Sequence, residues 1–155
     1  PISSGLVTLF LFSSLATKHI SSKLGVIRPD NLNNLPGLRS ARYAHENATD
    51  EENRQHLRKE LEALDLNQTK AYFVCVLVLV KVSADPYPLI ATGLLEGSVK
   101  TTMQGANGFG YDPMFYPRES NLSLGEMNAD DKALLSHRGK AIQVLKRKIE
   151  GFASE

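Results

Sequence analysis

The sequence predicts a single domain of helices and strands, and three observations carry that prediction. Ala71 to Val80 is an unbroken, valine-rich apolar run. Its length alone would also suit a buried helix, but the valines favour a strand at the centre of a sheet, covered on both faces. Thr49 and Glu52, with Asp50 and Glu51 between them, form a capping box with negative charge in the first turn of a helix. From Ser136 onward Ile142, Leu145 and Ile149 keep helical spacing, and Ser136 is a good N-cap for a C-terminal amphipathic helix.

At 155 residues the chain has room for one domain, 1–155, with a real core. Its net charge of +1 gives no electrostatic reason to expect nucleic acid or a membrane surface as a partner. The one cysteine, Cys75, cannot form an internal disulfide and sits inside the apolar run, so it reads as core. A reducing, cytoplasmic setting is expected.

Residues 1–27 are the least informative. The chain opens on Pro1, as one taken from inside a longer gene product would. The apolar stretch Leu6 to Phe12 is too short to span a bilayer and has the look of a secretory-signal core, but no basic residues precede it. A buried strand or helix is expected there, then a modest helix through Leu15, Ala16 and Ile20, and a short strand at Gly25 to Ile27. Residues 28–47, with Pro29-Asp30-Asn31, Asn33-Asn34 and Pro36-Gly37, read as a loop. The helix opened by Thr49 carries Leu57, Leu61 and Leu64 on one stripe and is otherwise charged, so it reads as structural. Asp85-Pro86 and Pro88 turn the chain after the apolar run. Leu89 to Leu95 then returns as a strand, Glu96-Gly97 reads as a further turn, and Val99 to Met103 as a third strand.

That meander delivers the chain to Gly105-Ala106-Asn107-Gly108-Phe109-Gly110-Tyr111-Asp112-Pro113-Met114-Phe115. Its three closely spaced glycines clear side chains from the backbone and permit positive φ. Phe109 and Tyr111 set two rings beside it, and Pro113 restrains Asp112, an acceptor-only group. Ring faces with one carboxylate suit a heterocyclic base that stacks and donates N–H; the plainer alternative is a glycine-rich turn between strands. Ser136-His137-Arg138-Gly139 places two potential cations at a helix start, against the dipole, with Lys132 nearby. It reads either as a receptor for an anion or carbonyl oxygen, or as surface basic residues.

Taken together the segments resemble the inosine/xanthosine triphosphate pyrophosphatase family. The matching stretches are Pro36-Gly37-x-x-Ser40-Ala41-Arg42-Tyr43, Ala48-Thr49-Asp50-Glu51-Glu52-Asn53, Gly93 with Glu96-Gly97, Gly108-Phe109-Gly110-Tyr111-Asp112-Pro113-x-Phe115, Glu126-Met127, and Lys132 with Ser136-His137-Arg138-Gly139. They run in family order over residues 36–150. The resemblance implies an α/β fold with a long mixed β-sheet flanked by helices and a nucleotide cleft between two lobes. It also implies a homodimer and Mg²⁺-dependent hydrolysis of ITP, dITP or XTP to the monophosphate and pyrophosphate. At matching positions it implies that Phe109 stacks on the purine, His137 covers the other face, Asp112 accepts from the base, Arg138 donates to the 6-keto oxygen and Lys132 contacts the nucleotide. Gly110 and Tyr111 belong to the same nucleotide-binding stretch.

Two parts of the family pattern have no match: a Thr-x-Asn-x-x-Lys phosphate loop and an Asp-Ser-Gly-Leu motif whose Asp binds metal. Counting back from Pro36-Gly37 puts that Asp at Leu24; aligning Ser4-Gly5-Leu6 with Ser-Gly-Leu puts it at Ser3. Neither side chain can hold Mg²⁺ as a carboxylate does. Ser4 joins the nucleotide-binding candidates on the second alignment. Asp30, the nearest carboxylate, is the substitute catalytic candidate, and the metal ligands are unassigned. The expected function is therefore nucleoside triphosphate pyrophosphatase activity in a truncated or N-terminally divergent member. The alternatives are an inactive purine-nucleotide-binding relative, and a purely structural relative without ligand.

Overall fold

The computed structural model describes residues 19–33, 35–80 and 84–152. Among these residues four strands form one sheet in the order β1-β2-β3-β4: β1 His19–Pro29, β2 Gln68–Val80, β3 Leu89–Lys100 and β4 Phe115–Pro117. The α/β class holds. Every described pairing is antiparallel, however, where the resemblance implies a mixed sheet. Ser4 and the apolar stretch 6–12 lie outside the described residues. From His19 onward β1 replaces the expected helix: Ile20, Ser21 and Ser22 pair with Leu79, Val78 and Leu77, a case of tertiary pairing overriding weak local propensity.

β2 lies between β1 and β3, as its apolar run predicts. Only one of its faces is fully buried, the one bearing Ala71, Phe73, Cys75, Leu77 and Leu79. The valines of the opposite face are half-buried, which corrects the expectation of cover on both sides. The turn expected at Glu96-Gly97 does not form. Both residues stay in β3, opposite Tyr72 and Ala71, and Gly97 also faces Pro117 of β4. A side chain at Gly97 would run into the Tyr116 carbonyl and the Phe115 ring, so the glycine serves close strand packing. The turn at Asp85-Pro86 does form, with Asp85 accepting from the Tyr87 N–H at 3.0 Å.

The helices are α1 Asp50–Ala63, α2 Ala129–Leu135 and α3 His137–Phe152. α1 starts on the predicted capping box, with reciprocal bonds between Thr49 and Glu52. It buries Leu57 and Leu61, while Leu64, at the C-cap, is exposed. Residues 28–47 are not a plain loop but contain two short 3₁₀ segments, Asp30–Leu32 and Gly37–Arg42. Asn53 on α1 fixes this region by accepting from the Tyr43 and Ala44 N–H groups at 2.8 and 2.9 Å.

The core has two clusters, both fed by the buried face of β2. Phe73 joins Leu57, Leu61, Phe115 and Leu124 in one. Cys75, Leu77 and Leu79 join Ala141 and Leu145 of α3 in the other. Gly93, opposite Cys75, lets α3 settle on the sheet at this junction: a Cβ there would overlap the His137 carbonyl. The first turn of α3 is thereby fixed over the middle of the sheet.

Candidate functional site

The glycine stretch folds back on itself and is tied down from three directions. Gly105, Gly108 and Gly110 all have positive φ, at 79°, 87° and 60°, conformations that ordinary side chains strain to adopt. At Gly108 the room is also needed, because Lys132 Nζ and Asp112 Oδ2 occupy the space a Cβ would take. Asn107 donates its backbone N–H to the Gly125 carbonyl at 2.8 Å. Gly110 is held by α1: its N–H donates to Asp50 Oδ2 at 2.7 Å, and its carbonyl accepts from Arg54 Nη1 at 2.6 Å.

Asp112 is buried and sits at the centre of the turn. Its Oδ2 accepts from the Phe109 N–H at 3.0 Å and from Lys132 Nζ. This carboxylate oxygen is thus committed inside the protein, where the resemblance has Asp112 accepting from a base. Lys132 comes from α2, a helix the apolar periodicity does not reveal. Its start is nonetheless written in Asn128-x-x-Asp131, since Asn128 Oδ1 caps the Asp131 N–H at 2.9 Å.

The two aromatic residues of the stretch part company. Tyr111 is buried in the core and donates its hydroxyl to the Ser40 carbonyl at 2.8 Å; burial raises its pKa above the ordinary value. Phe109 is 53% exposed, so of the two rings it alone can offer a face to a ligand.

Ser136 caps α3 as predicted, its Oγ accepting from the Gly139 N–H at 3.1 Å. Gly139 admits not a ligand but the Ala133 carbonyl of α2, which a Cβ would overlap. His137 and Arg138, in the first turn, point to different places. The His137 ring is 2% exposed and stacks on Phe73 with centroids 4.8 Å apart and planes 13° from parallel. Neither ring nitrogen has a hydrogen-bond partner among the described residues. Burial, reinforced by Arg138 and Lys132, pulls its pKa down to about 3. The structure therefore seats His137 under the corner, within the core, rather than as an exposed cover for a base.

Arg138 turns outward. Its guanidinium carbon lies 4.1 Å from the Phe109 ring centroid, a cation–π arrangement. Burial lowers its pKa, with the nearby Asp112 charge acting the other way. The two motifs, far apart in sequence, thus meet in space. Asp30 is exposed in its own short 3₁₀ segment. Among the described residues no group of three or more His, Cys, Asp or Glu side chains is placed to hold a metal ion.

Fold and site define an α/β protein in which an exposed aromatic face, a guanidinium and a lysine paired with a buried carboxylate share one corner. The sequence pattern of the Ham1 family matches residues 26–148. The chain is 42% identical over 135 residues to a dITP/XTP pyrophosphatase from Legionella pneumophila (strain Paris), aligned over 86% of this chain and 69% of the relative. To a dITP/XTP pyrophosphatase from Photobacterium profundum it is 45% identical over 116 residues, covering 75% of this chain and 59% of the relative. The fold superposes on a HAM1 protein from Coxiella burnetii with a TM-score of 0.79 at 37% identity, over 86% of this chain and 68% of that one. The chain belongs to the Ham1 family.

Proposed function

We propose that the Phe109–Arg138 corner receives the base of a non-standard purine nucleoside triphosphate (ITP, dITP or XTP), and that the chain serves its hydrolysis to the monophosphate and pyrophosphate. The observation that carries this reading is the guanidinium lying over the exposed Phe109 ring. A flat, electron-poor group already rests on that face, and a purine ring is a larger flat group that would stack there in its place. Displaced to the ring edge, the guanidinium offers N–H donors in a plane. Hypoxanthine and xanthine present a 6-keto acceptor to such donors, whereas adenine presents an amino donor. A donor left unpaired against adenine costs roughly 1–3 kcal/mol. Guanine also carries a 6-keto oxygen, so Arg138 does not discriminate against it.

The other members of the corner support that role. Asp112 holds the Phe109 backbone and Lys132 together, and His137 seats the start of α3 against Phe73. Mg²⁺, the cofactor implied by the family resemblance, would supply charge neutralisation and Lewis acidity at the phosphates. Among the described residues no group of three or more His, Cys, Asp or Glu side chains is placed to hold it; the role of the corner's own residues is recognition and orientation of the base. A homodimer and a cytoplasmic setting go with the same reading. No helix among the described residues is long and apolar enough to cross a membrane.

The test is pyrophosphate release from ITP, XTP and ATP with Mg²⁺. Turnover of ITP and XTP well above ATP is expected; no turnover of any, with inosine binding intact, would instead mark a binding protein without catalysis. Size-exclusion chromatography tests the dimer.

A further inference from the structure

The charged N-terminal end of α1 makes a contact that a purely structural surface helix would not need. Asp50 and Arg54, a turn apart, grip both polar backbone groups of one residue, Gly110, some sixty positions away. Arg54 is itself forked onto Glu51, at 3.2 Å through Nε and 2.6 Å through Nη2, and its side chain is only 16% exposed. Gly110 directly follows Phe109, whose own N–H is held by Asp112 at 3.0 Å. The Phe109 ring projects into solvent and meets the Arg138 guanidinium. The backbone that carries the ring is therefore held at Phe109 and at Gly110, while Arg138 covers its face.

We propose that Asp50 and Arg54 are positioning residues for base recognition, fixing the Phe109 ring through the Gly110 backbone; this rests on Phe109 being the base-stacking ring. Neither residue touches the base. Their removal leaves the ring present but free to rotate with its loop, so the ordering cost falls on the ligand.

The chain has no tryptophan, so Phe109→Trp supplies a single indole at the site. Inosine binding to the full chain is measured by calorimetry, together with the indole anisotropy and the thermal transition. Asp50→Ala and Arg54→Ala are each expected to weaken inosine about five- to tenfold, part of the roughly 5- to 150-fold that base–aromatic stacking is worth. Both should lower the indole anisotropy while the thermal transition persists. Asp50→Asn keeps an acceptor for the Gly110 N–H and should bind within about twofold of wild type. Arg54→Lys, which loses the fork to Glu51, should weaken binding about threefold, and serves if the alanine variants unfold. Unchanged affinity and anisotropy in folded Asp50→Ala, Arg54→Ala or Arg54→Lys overturns the positioning role and leaves the base site standing. Failure of the wild-type chain to bind inosine overturns both.

Discussion

The Arg138 guanidinium rests 4.1 Å from the centroid of the Phe109 ring, joining the start of α3 to the tip of the glycine turn. Each group holds the other in the absence of a base: the ring lends the cation a polarisable face, and the cation covers apolar surface that water would otherwise meet. Phe109 contributes little else to the fold, being half exposed and outside both core clusters. Phe109→Ala is therefore expected to leave the thermal transition within a few degrees of wild type. Inosine affinity should drop about 5- to 150-fold, the worth of one base–aromatic stack. Calorimetry on the two proteins checks this, and equal affinities would remove the ring from the site.

Beside the Phe109 backbone, Asp112 and Lys132 form an ion pair whose side chains are 3% and 14% exposed. Breaking a buried pair from one side strands the other charge at a cost of about 3–5 kcal/mol, and for this partly buried lysine the cost is expected toward or below the lower end. Asp112→Ala also frees the Phe109 N–H, so it should be the more damaging of the two truncations. Lys132→Met leaves Asp112 its backbone donor and retains most of the apolar stem, so a smaller loss is expected. Urea denaturation of both variants gives the order; a milder effect for Asp112→Ala would mean that the pair does not organise the turn.

Much of this architecture is legible in the residues because the signals are local. The Thr49–Glu52 box, the valine run of β2 and the Ser136 cap each specify their element from adjacent positions; the structure places both caps as read and makes the run a strand inside the sheet, though buried on one face only. What sequence does not display is what faces what. Glu96-Gly97 looks like a turn in isolation, and only the presence of strands on both sides makes it strand. Tyr111 and His137 look as available as their neighbours Phe109 and Arg138, yet both rings are buried, because their backbone positions aim them into the core. α2 is missed for a different reason: it is short and none of its residues is buried, so it shows no apolar periodicity, and only Asn128-x-x-Asp131 marks its start. Likewise α1 reads as inert, since its hold on Gly110 joins residues far apart in the chain.

Two glycines of α3 make a controlled comparison. A Cβ at Gly151 would meet nothing within 4 Å among the described residues, whereas at Gly139 the Ala133 carbonyl already fills that space. Gly151→Ala should be neutral or stabilise by up to about 1 kcal/mol through helix propensity. Gly139→Ala should destabilise by about 1–3 kcal/mol or more, because α2 must move off α3. Chemical denaturation reads both. Similar effects would mean that the α2–α3 contact yields at little cost.

His137 gives the chain a built-in acid sensitivity. Its ordinary pKa of 6.5 falls to about 3 in the folded protein, chiefly through burial and then through the charges of Arg138 and Lys132. The unfolded chain therefore binds a proton that the folded one refuses. The stability held by the neutral ring is complete above pH 6.5 and is lost as the pH falls toward 3, with a slope approaching about 1.4 kcal/mol per pH unit. His137→Phe keeps the stack on Phe73, and it removes two buried nitrogens that have no partner among the described residues. Without polar atoms to desolvate or protonate, the variant should match or exceed wild type at about pH 7. It should also lose much of the decline in stability between about pH 6 and pH 4. Urea midpoints across that range compare the two proteins directly, and parallel curves would assign the decline to other groups.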